Sequence, residues 1–258
     1  MLLIGVVVVV LAVITGWAVA TRGGGDSDIA QRIRDEASNL PTDLANGMKL
    51  GRDDAPIRLT VFADFQCPFC LKFTGEQEPD IIKEFVTTGK VQLEYQHLPI
   101  LGAESVRAAV ASMCAADQNK FWEYHHKLFL VQAEAGQASG ERLNVGRFSD
   151  ENLKRFAAEL GLDTAQFNQC LDASEHLDEV TEQQRLANSF GIRGTPGFLV
   201  NGQPLGAGTP ADMDAWRALF ASVESQLATQ TAQAGQTATP AATGTATTSA
   251  SPAATPTP

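Results

Sequence analysis

The chain has 258 residues, of which 30 are acidic and 19 are basic, so its formal net charge at pH 7 is −11. This acidic balance argues against a nucleic-acid partner, because phosphate binding requires clustered Lys and Arg side chains. The folded domain is expected at residues 49–227, a length of roughly 180 residues that is sufficient for one hydrophobic core.

The N-terminal residues 2–20 are almost wholly apolar, and the first charged side chain is Arg22. As a helix rising about 1.5 Å per residue, this segment would span roughly 28 Å, close to the hydrocarbon thickness of a bilayer. A cleaved signal peptide normally has a basic start and a shorter apolar stretch, although Ala18-Val19-Ala20 resembles a cleavage site. We therefore expect a retained transmembrane anchor, with signal cleavage as the alternative. Arg22 directly after this segment weakly favours a domain on the cytoplasmic side. Because a single charge carries little weight, we infer the side of the membrane from the chemistry of the cysteines.

Polar segments flank the expected domain. Residues 21–48 are interpreted as a linker, in which a short helix around residues 29–38 could form. Residues 228–258 contain no charged side chain and consist largely of Ala, Thr, Pro, Gln, Gly and Ser. Such a composition buries too little apolar surface to offset the entropy of ordering the chain. We expect a disordered tail there.

The first half of the domain alternates strand and helix. A strand rich in apolar and β-branched residues is predicted at Ile57–Ala63, and the sequence Cys-Pro-Phe-Cys follows it at residues 67–70. A helix is predicted from there to about residue 87, and a strand of alternating pattern at Val91–His97. This is a βαβ unit with the two cysteines at its first strand-to-helix junction.

The second half begins with helices alone. Helical periodicity fills residues 102–190, after which residues 197–201 predict a strand. Asn201-Gly202 predicts a two-residue hairpin turn to a strand at residues 203–205, and a final amphipathic helix is expected at residues 211–227. The whole order predicts an α/β, thioredoxin-like fold with an inserted helical subdomain.

The Cys-Pro-Phe-Cys motif is the main candidate for chemistry. A thiol is a good nucleophile only as a thiolate, and Cys67 falls where the free N–H groups of a helix start favour negative charge. Pro68 suits the first helical turn because it has no N–H to lose. Cys70 lies one turn further in, so Cys67 is the expected attacking cysteine and Cys70 the resolving one. This chemistry needs no cofactor.

The motif has two alternatives to a redox dithiol. Zinc sites also use paired cysteines, but the remaining cysteines, Cys114 and Cys170, are far from the motif and from each other in the sequence. We therefore expect no zinc at Cys67 and Cys70 and no other metal site. The second alternative is a non-catalytic interaction domain in which the motif is only a structural disulfide.

A second motif, Gly194-Thr195-Pro196, directly precedes the predicted strand at residues 197–201. Taken by itself, this proline would be read as a trans residue that ends a loop, because cis X–Pro bonds are a minority. Thioredoxin-like folds, however, have a cis-proline at this place that lies against the cysteine motif. With Cys67-Pro68-Phe69-Cys70 upstream, this similarity implies that Pro196 is cis and lies beside the active site.

Three blocks of the sequence carry a family resemblance. They are residues 51–73, GRDDAPIRLTVFADFQCPFCLKF; residues 114–129, CAADQNKFWEYHHKLF; and residues 191–202, GIRGTPGFLVNG. They resemble the DsbA family, in particular its membrane-anchored, BdbD-like branch, and the resemblance covers essentially all of residues 49–227.

The resemblance implies a thiol–disulfide oxidoreductase outside the cytoplasm that exchanges disulfides with reduced secreted proteins. It also implies a membrane, quinone-linked partner that reoxidises the dithiol, either DsbB-like or similar to vitamin K epoxide reductase. By this resemblance Cys67, Cys70, Thr195 and Pro196 occupy the family's active-site positions. Oxidation is the expected direction, with reduction or isomerisation as the alternative.

One position departs from the pattern of thioredoxin-like proteins. Many of them have a buried acid six residues before the first cysteine, and that position is Val61 here. Asp64 and Glu94 are the candidates for a substitute proton-transfer group, although Asp64 could equally be an exposed carboxylate at a strand end.

Other cysteines, histidines and aromatic residues have roles that can be predicted from their position. Cys114 and Cys170 are expected to form a structural disulfide, since the compartment is oxidising, although each could simply be a buried free thiol. Of the adjacent His125 and His126, one is expected to pack and the other to face solvent. Phe69 and Phe198 are expected to form an apolar rim for unfolded chains, judged from their position only.

Overall fold

The computed structural model describes residues 24–206 and 210–237. The anchor expected at residues 2–20 and the tail beyond residue 237 lie outside these ranges. Within them, no helix combines the length and the apolar character needed to cross a membrane.

One mixed sheet forms the centre of the described structure. Its strands are β1 (Ala45–Asn46), β2 (Lys49–Leu50), β3 (Ile57–Ala63), β4 (Val91–His97), β5 (Gly197–Val200) and β6 (Gln203–Pro204). Their spatial order is β1-β2-β4-β3-β5-β6. The central strands β3 and β4 run parallel, whereas β5 pairs antiparallel with β3. The predicted strands at Ile57–Ala63 and Val91–His97 are thus confirmed.

The helices lie before, between and after these strands. They are α1 (Gly24–Asn39), α2 (Pro68–Glu76), α3 (Glu78–Ile81, continued by a π-helical turn at Ile82–Val86), α4 (Ala103–Ala116), α5 (Phe121–Glu134), α6 (Asp150–Glu159), α7 (Thr164–Ala173), α8 (Leu177–Ser189) and α9 (Met213–Thr237). Helices α4 to α8 form a block between β4 and β5. This is the predicted thioredoxin-like α/β fold with a helical insertion.

The hairpin between β5 and β6 has the turn that its sequence predicts. Asn201 and Gly202 both have positive φ, at 49° and 77°. Two consecutive left-handed residues give the turn whose twist matches that of paired strands, and Val200 pairs with Gln203 across it.

Helix α1 corrects the expected linker at residues 21–48. Its apolar side chains Ile29, Ala30 and Ile33 are buried in the main core. The approach to α2 is so close that a Cβ on Gly75 would lie 2.6 Å from Cγ2 of Ile29. Because the three residues form one stripe of a helix, residues 24–39 dock onto the domain and are part of it.

Helix α9 corrects the other boundary. It continues to Thr237, ten residues past the expected end at residue 227, so residues 228–237 are helical and not disordered. Trp216 and Phe220 bury its first half in the core. Leu, Ala and Gln in the second half are good helix formers, and the next proline is Pro240.

The helical insertion is cross-linked internally. Cys114 on α4 and Cys170 on α7 form a disulfide, with 5.9 Å between their Cα atoms and 56 positions between them in the sequence. Both residues are buried.

Candidate active site

The two motif cysteines lie at the start of α2, directly after the loop that leaves β3. Cys67 is the N-cap residue, Pro68 is the first helical residue, and the backbone N–H of Cys70 donates to Sγ of Cys67 at 3.4 Å. Both cysteines are free and buried. The helix start therefore presents a backbone N–H donor to the sulfur of Cys67.

The Thr195-Pro196 motif lies against this sulfur. The peptide bond between Thr195 and Pro196 is cis, and the Cys67 thiol donates to the Thr195 carbonyl oxygen at 3.3 Å. The fold thus joins two motifs that are separated by 128 positions in the sequence.

The two thiols have opposite electrostatic surroundings. The pKa of Cys67 is lowered from 9.0 to about 7, mainly by a hydrogen bond from the Cys70 thiol. The Thr195 side chain and the backbone N–H groups of Cys70 and Phe69 act in the same direction, against the effect of burial. For Cys70, in contrast, burial is the main cause, and it raises the pKa well above its ordinary value. Only Cys67 is suited to exist as a thiolate near neutral pH.

Asp64 is buried at the start of the loop that precedes Cys67. Its Oδ1 accepts from the Gln66 N–H at 2.8 Å and the Ser105 hydroxyl at 2.6 Å, and its Oδ2 accepts from the N–H groups of Ile100 and Leu101, both at 2.9 Å. Burial raises the pKa of Asp64, and these hydrogen bonds oppose the rise. The carboxylate joins the active-site loop to the start of the insertion.

The other two positions singled out for proton transfer are placed differently. Val61 is buried within β3, so an apolar side chain occupies the position at which many thioredoxin-like proteins have a buried acid. Glu94 lies half-buried on β4, accepts from Gln96 at 3.3 Å and is 4.0 Å from Arg58. It lines a surface groove that also contains Asp117.

Side chains from the insertion also hold the active-site loop by its backbone. Gln132 donates to the Phe65 carbonyl at 2.9 Å, and Gln137 donates to the Gln66 carbonyl at 2.8 Å. Arg147 donates in turn to both glutamine side chains at 2.6 Å. Sequence reasoning missed these positioning residues because glutamines 67 and 71 positions away from the carbonyls they bind carry no local signal.

A thioredoxin family model matches residues 43–219. The chain belongs to the thioredoxin family. Disulfide bond formation protein D of Bacillus subtilis (strain 168) is 31% identical over 154 residues, which cover 59% of this chain and 66% of that protein. The matched region thus spans slightly less than two thirds of that curated relative.

Solved structures extend the comparison within the thioredoxin family. The oxidised form of BdbD from Bacillus subtilis shares 26% identity with a TM-score of 0.60, covering 69% of this chain and 92% of that one. Alpha-DsbA1 from Wolbachia pipientis shares 24% identity with a TM-score of 0.59, covering 75% and 98%, and this likeness concerns the fold. The proteins that the chain resembles thus include disulfide bond formation protein D and solved structures named BdbD and DsbA.

The described surface around this thioredoxin-family site is partly apolar. Phe69, between the two cysteines, is 67% exposed. Phe198, expected beside it on the rim, is instead buried and packs against Phe73 and Trp216, because its position on β5 points into the core. A groove next to the cis-proline is lined by Ile192, Thr195, Pro196, Gly197 and Leu205.

The histidines near the site are more deeply buried than expected. His125 and His126 are both buried on α5, so the expectation that one faces solvent is wrong. His97 at the end of β4 is buried as well, and its Nε2 lies 3.1 Å from the Ser112 hydroxyl. Burial lowers the pKa of His97 to about 3, which leaves it neutral at pH 7.

We expect the reactivity of Cys67 to titrate near pH 7. In the reduced full chain, the rate of iodoacetamide alkylation at Cys67 should rise with a midpoint at about 7, two units below the ordinary value of 9.0. Because the pKa of Cys67 is lower in the folded than in the unfolded protein, ionisation of Cys67 stabilises the reduced fold. This contribution is complete above pH 9.0 and is lost as the pH falls through about 7. Mass spectrometry of the labelled peptide measures the profile, and a midpoint at or above 8.5 contradicts it.

Replacing Asp64 is expected to lower the free energy of unfolding more than it lowers the rate of thiol–disulfide exchange. Asp64→Ala leaves three backbone N–H groups and one hydroxyl without their acceptor, at a cost of about 3 kcal/mol or more. Asp64→Asn, which keeps the shape, should lose less. Urea unfolding measures both variants. If Asp64→Asn instead slows exchange tenfold at unchanged stability, the carboxylate serves proton transfer.

Proposed function

We propose that this protein catalyses thiol–disulfide exchange in secreted or cell-envelope proteins through Cys67 and Cys70, in the oxidising direction. The observation that carries the proposal is the asymmetry of the two thiols, with the pKa of Cys67 at about 7 and that of Cys70 well above its ordinary value. A purely structural disulfide has no need of this difference.

The asymmetry assigns the steps of the reaction. A substrate thiolate attacks Sγ of Cys67 in the oxidised enzyme, forming a mixed disulfide and breaking the Cys67–Cys70 bond. Cys70 leaves as a thiolate and takes up a proton, as its raised pKa favours. A second substrate thiolate then attacks the substrate sulfur, which releases Cys67 as a thiolate and leaves the substrate with a disulfide. Two electrons pass from substrate to enzyme.

The same asymmetry supports oxidation as the direction. Cys67 is the leaving thiol when substrate is released, and thiols of lower pKa leave faster. A stabilised Cys67 thiolate also favours the reduced enzyme, which makes its disulfide the stronger oxidant. A protein of this type requires a partner that accepts the two electrons. We infer a membrane, quinone-linked reoxidase, either DsbB-like or similar to vitamin K epoxide reductase.

The exposed Phe69 ring and the groove beside Pro196 support an unfolded polypeptide as the substrate. An apolar side chain next to the reacting sulfur can contact many different sequences. We infer that Thr195 and Pro196 position the substrate chain next to Cys67, because the Thr195 carbonyl already touches this sulfur.

An extracytoplasmic location is part of the proposal. The disulfide between Cys114 and Cys170 supports it, since structural disulfides persist in oxidising compartments. The apolar residues 2–20 would tether the catalytic domain to the outer face of the cell membrane as a single-pass anchor.

A redox titration tests the proposal. The full chain is equilibrated with glutathione mixtures and its Cys67–Cys70 state is read by thiol alkylation and mass spectrometry. We expect a potential more oxidising than about −200 mV and catalysed oxidation of reduced, unfolded ribonuclease. A value near the −270 mV or so of thioredoxin contradicts the oxidase assignment. A motif that never exchanges with glutathione or ribonuclease contradicts catalysis altogether and leaves an interaction domain.

A further inference from the structure

Three ionisable side chains meet in the buried space between α3 and α5. Glu78 at the start of α3 is 4.0 Å from Nδ1 of His125 and 3.8 Å from Nε2 of His126, measured from its Oε1. All three side chains are at most 1% exposed. They take no part in the exchange reaction described above.

Most of their polar atoms have no partner. Within residues 24–206 and 210–237, no hydrogen bond reaches Oε1 of Glu78, either ring nitrogen of His125, or Nε2 of His126. Leaving a buried polar atom unpaired costs free energy. Four such atoms at one point therefore indicate that the site receives something besides protein.

The orientation of His126 identifies what it can receive. Its Nδ1 lies 2.7 Å from the Trp122 carbonyl oxygen, which can only accept, so Nδ1 carries the proton. Nε2 is then a bare lone pair, and it faces Oε1 of Glu78. A hydrogen bond from the ring to a backbone carbonyl is the usual way in which proteins orient a histidine that binds a metal.

We propose that Glu78, His125 and His126 bind a divalent transition-metal ion, with Zn²⁺ the best match. The candidate ligand atoms all lie within 4.8 Å of one another. Ligands at about 2.0–2.1 Å from a tetrahedral Zn²⁺ are roughly 3.4 Å apart, so a contraction of about half an ångström brings Glu78 into range of both rings. Two imidazoles and one carboxylate are a ligand set that Zn²⁺ commonly uses.

The surroundings suit a bound cation. Aromatic rings enclose His125, with the centroids of Tyr95 and Phe129 at 4.9 and 5.0 Å from its own, and they keep bulk water out. The carboxylate of Glu36 lies within electrostatic reach of Glu78. With two neutral imidazoles, these two carboxylates would balance the charge of a divalent ion.

Glu36 also lies on a surface groove near the site. It lines this groove together with Asp80 and Pro79, and Pro79 directly follows Glu78 in the chain. The buried carboxylate is thus one residue away from a groove that carries Asp35, Glu36 and Asp80 as well as Arg32 and Lys83. Once bound, a cation would join α3, which follows the active-site helix, to α5 of the insertion, and so act as a structural link between the two parts of the fold.

Metal analysis of the full chain tests the proposal. The protein is prepared without an oligohistidine tag and with Cys67 and Cys70 oxidised, so that neither the tag nor the thiols bind metal. After incubation with Zn²⁺ and desalting, mass spectrometry should find about one zinc per chain, and removal of the zinc by EDTA should lower the melting temperature by at least about 3 °C. Fewer than about 0.1 zinc per chain overturns the proposal.

Variants locate the ion. Glu78→Gln and His126→Gln should each weaken Zn²⁺ binding by at least about tenfold. His176→Gln is the matched control, because this histidine forms a separate surface cluster with Asp117 and Glu179, and it should bind as the parent does. Loss in His176→Gln with retention in Glu78→Gln places the ion at the surface and overturns the proposal.

A third readout requires no substitution. Co²⁺ bound in place of Zn²⁺ should give the intense visible bands of a tetrahedral site, whereas the weak bands of an octahedral, water-rich site contradict the proposal. The alkylation profile of Cys67, taken on a separate sample in which Cys67 and Cys70 are reduced, verifies that each variant is folded. Since none of these readouts depends on exchange activity, their failure is distinct from failure of the proposed function.

Discussion

Cys67→Ser is expected to abolish thiol–disulfide exchange, whereas Cys70→Ser should stop the reaction halfway. A serine hydroxyl cannot form or exchange a disulfide, and Cys67 is the sulfur that lies at the N-cap of α2 beside Thr195. In Cys70→Ser, Cys67 can still attack a substrate disulfide, but no second thiol is present to release the substrate. A mixed disulfide at Cys67 should therefore accumulate.

Non-reducing electrophoresis and mass spectrometry of both variants, incubated with a disulfide-containing peptide, measure this asymmetry. The matched control is Cys67→Ser, in which the remaining Cys70 is fully buried with a raised pKa and should form far less adduct. Equal trapping by the two variants would contradict the assignment of Cys67 as the attacking sulfur.

Removing the disulfide of the insertion should be the most costly change in stability. Cys114 and Cys170 close a loop of 56 positions, for which the chain-entropy relation gives about 4 kcal/mol. The double variant Cys114→Ala/Cys170→Ala is expected to lose about that much free energy of unfolding, measured by urea denaturation of the oxidised protein.

The second cysteine pair supplies the control. Cys67→Ala/Cys70→Ala removes a link that spans only three positions and whose reduced form is the favoured one, so it should cost much less stability than loss of the Cys114–Cys170 bridge. A loss below about 1 kcal/mol on removing the Cys114–Cys170 bridge would show that the insertion holds its shape without it.

The parts of the fold that local sequence specifies were predicted well. The strand Ile57–Ala63 is apolar and β-branched, Asn201-Gly202 has the two residues that a tight hairpin turn requires, and Cys67-Pro68 has the chemistry of a helix start. Each depends on neighbours within a few positions. The Thr195-Pro196 loop was predicted because a family resemblance supplied its distant partner.

Features that depend on distant contacts were missed. Asp64 was predicted to be either a proton-transfer group or an exposed carboxylate, and the sequence does not show that donors 36 to 41 positions away bury it. In the sequence His126 is seen only as the neighbour of His125, and nothing indicates that Glu78 lies 3.8 Å from its ring. Helix α1 was expected to be part of a linker because its apolar stripe is short. The sequence does not show that Gly75 on α2 leaves space for Ile29 to pack there.

The hydrogen bonds from the insertion to the active-site loop limit how far this protein can be shortened. Deleting residues 102–190 would leave a sheet and α2 that look sufficient for the chemistry. It would also remove Gln132 and Gln137, which donate to the Phe65 and Gln66 carbonyls, and Ser105, one of the four donors to Asp64. The N–H donors of Gln66, Ile100 and Leu101 would remain, so a shortened chain must replace the lost side-chain contacts to keep the loop in shape.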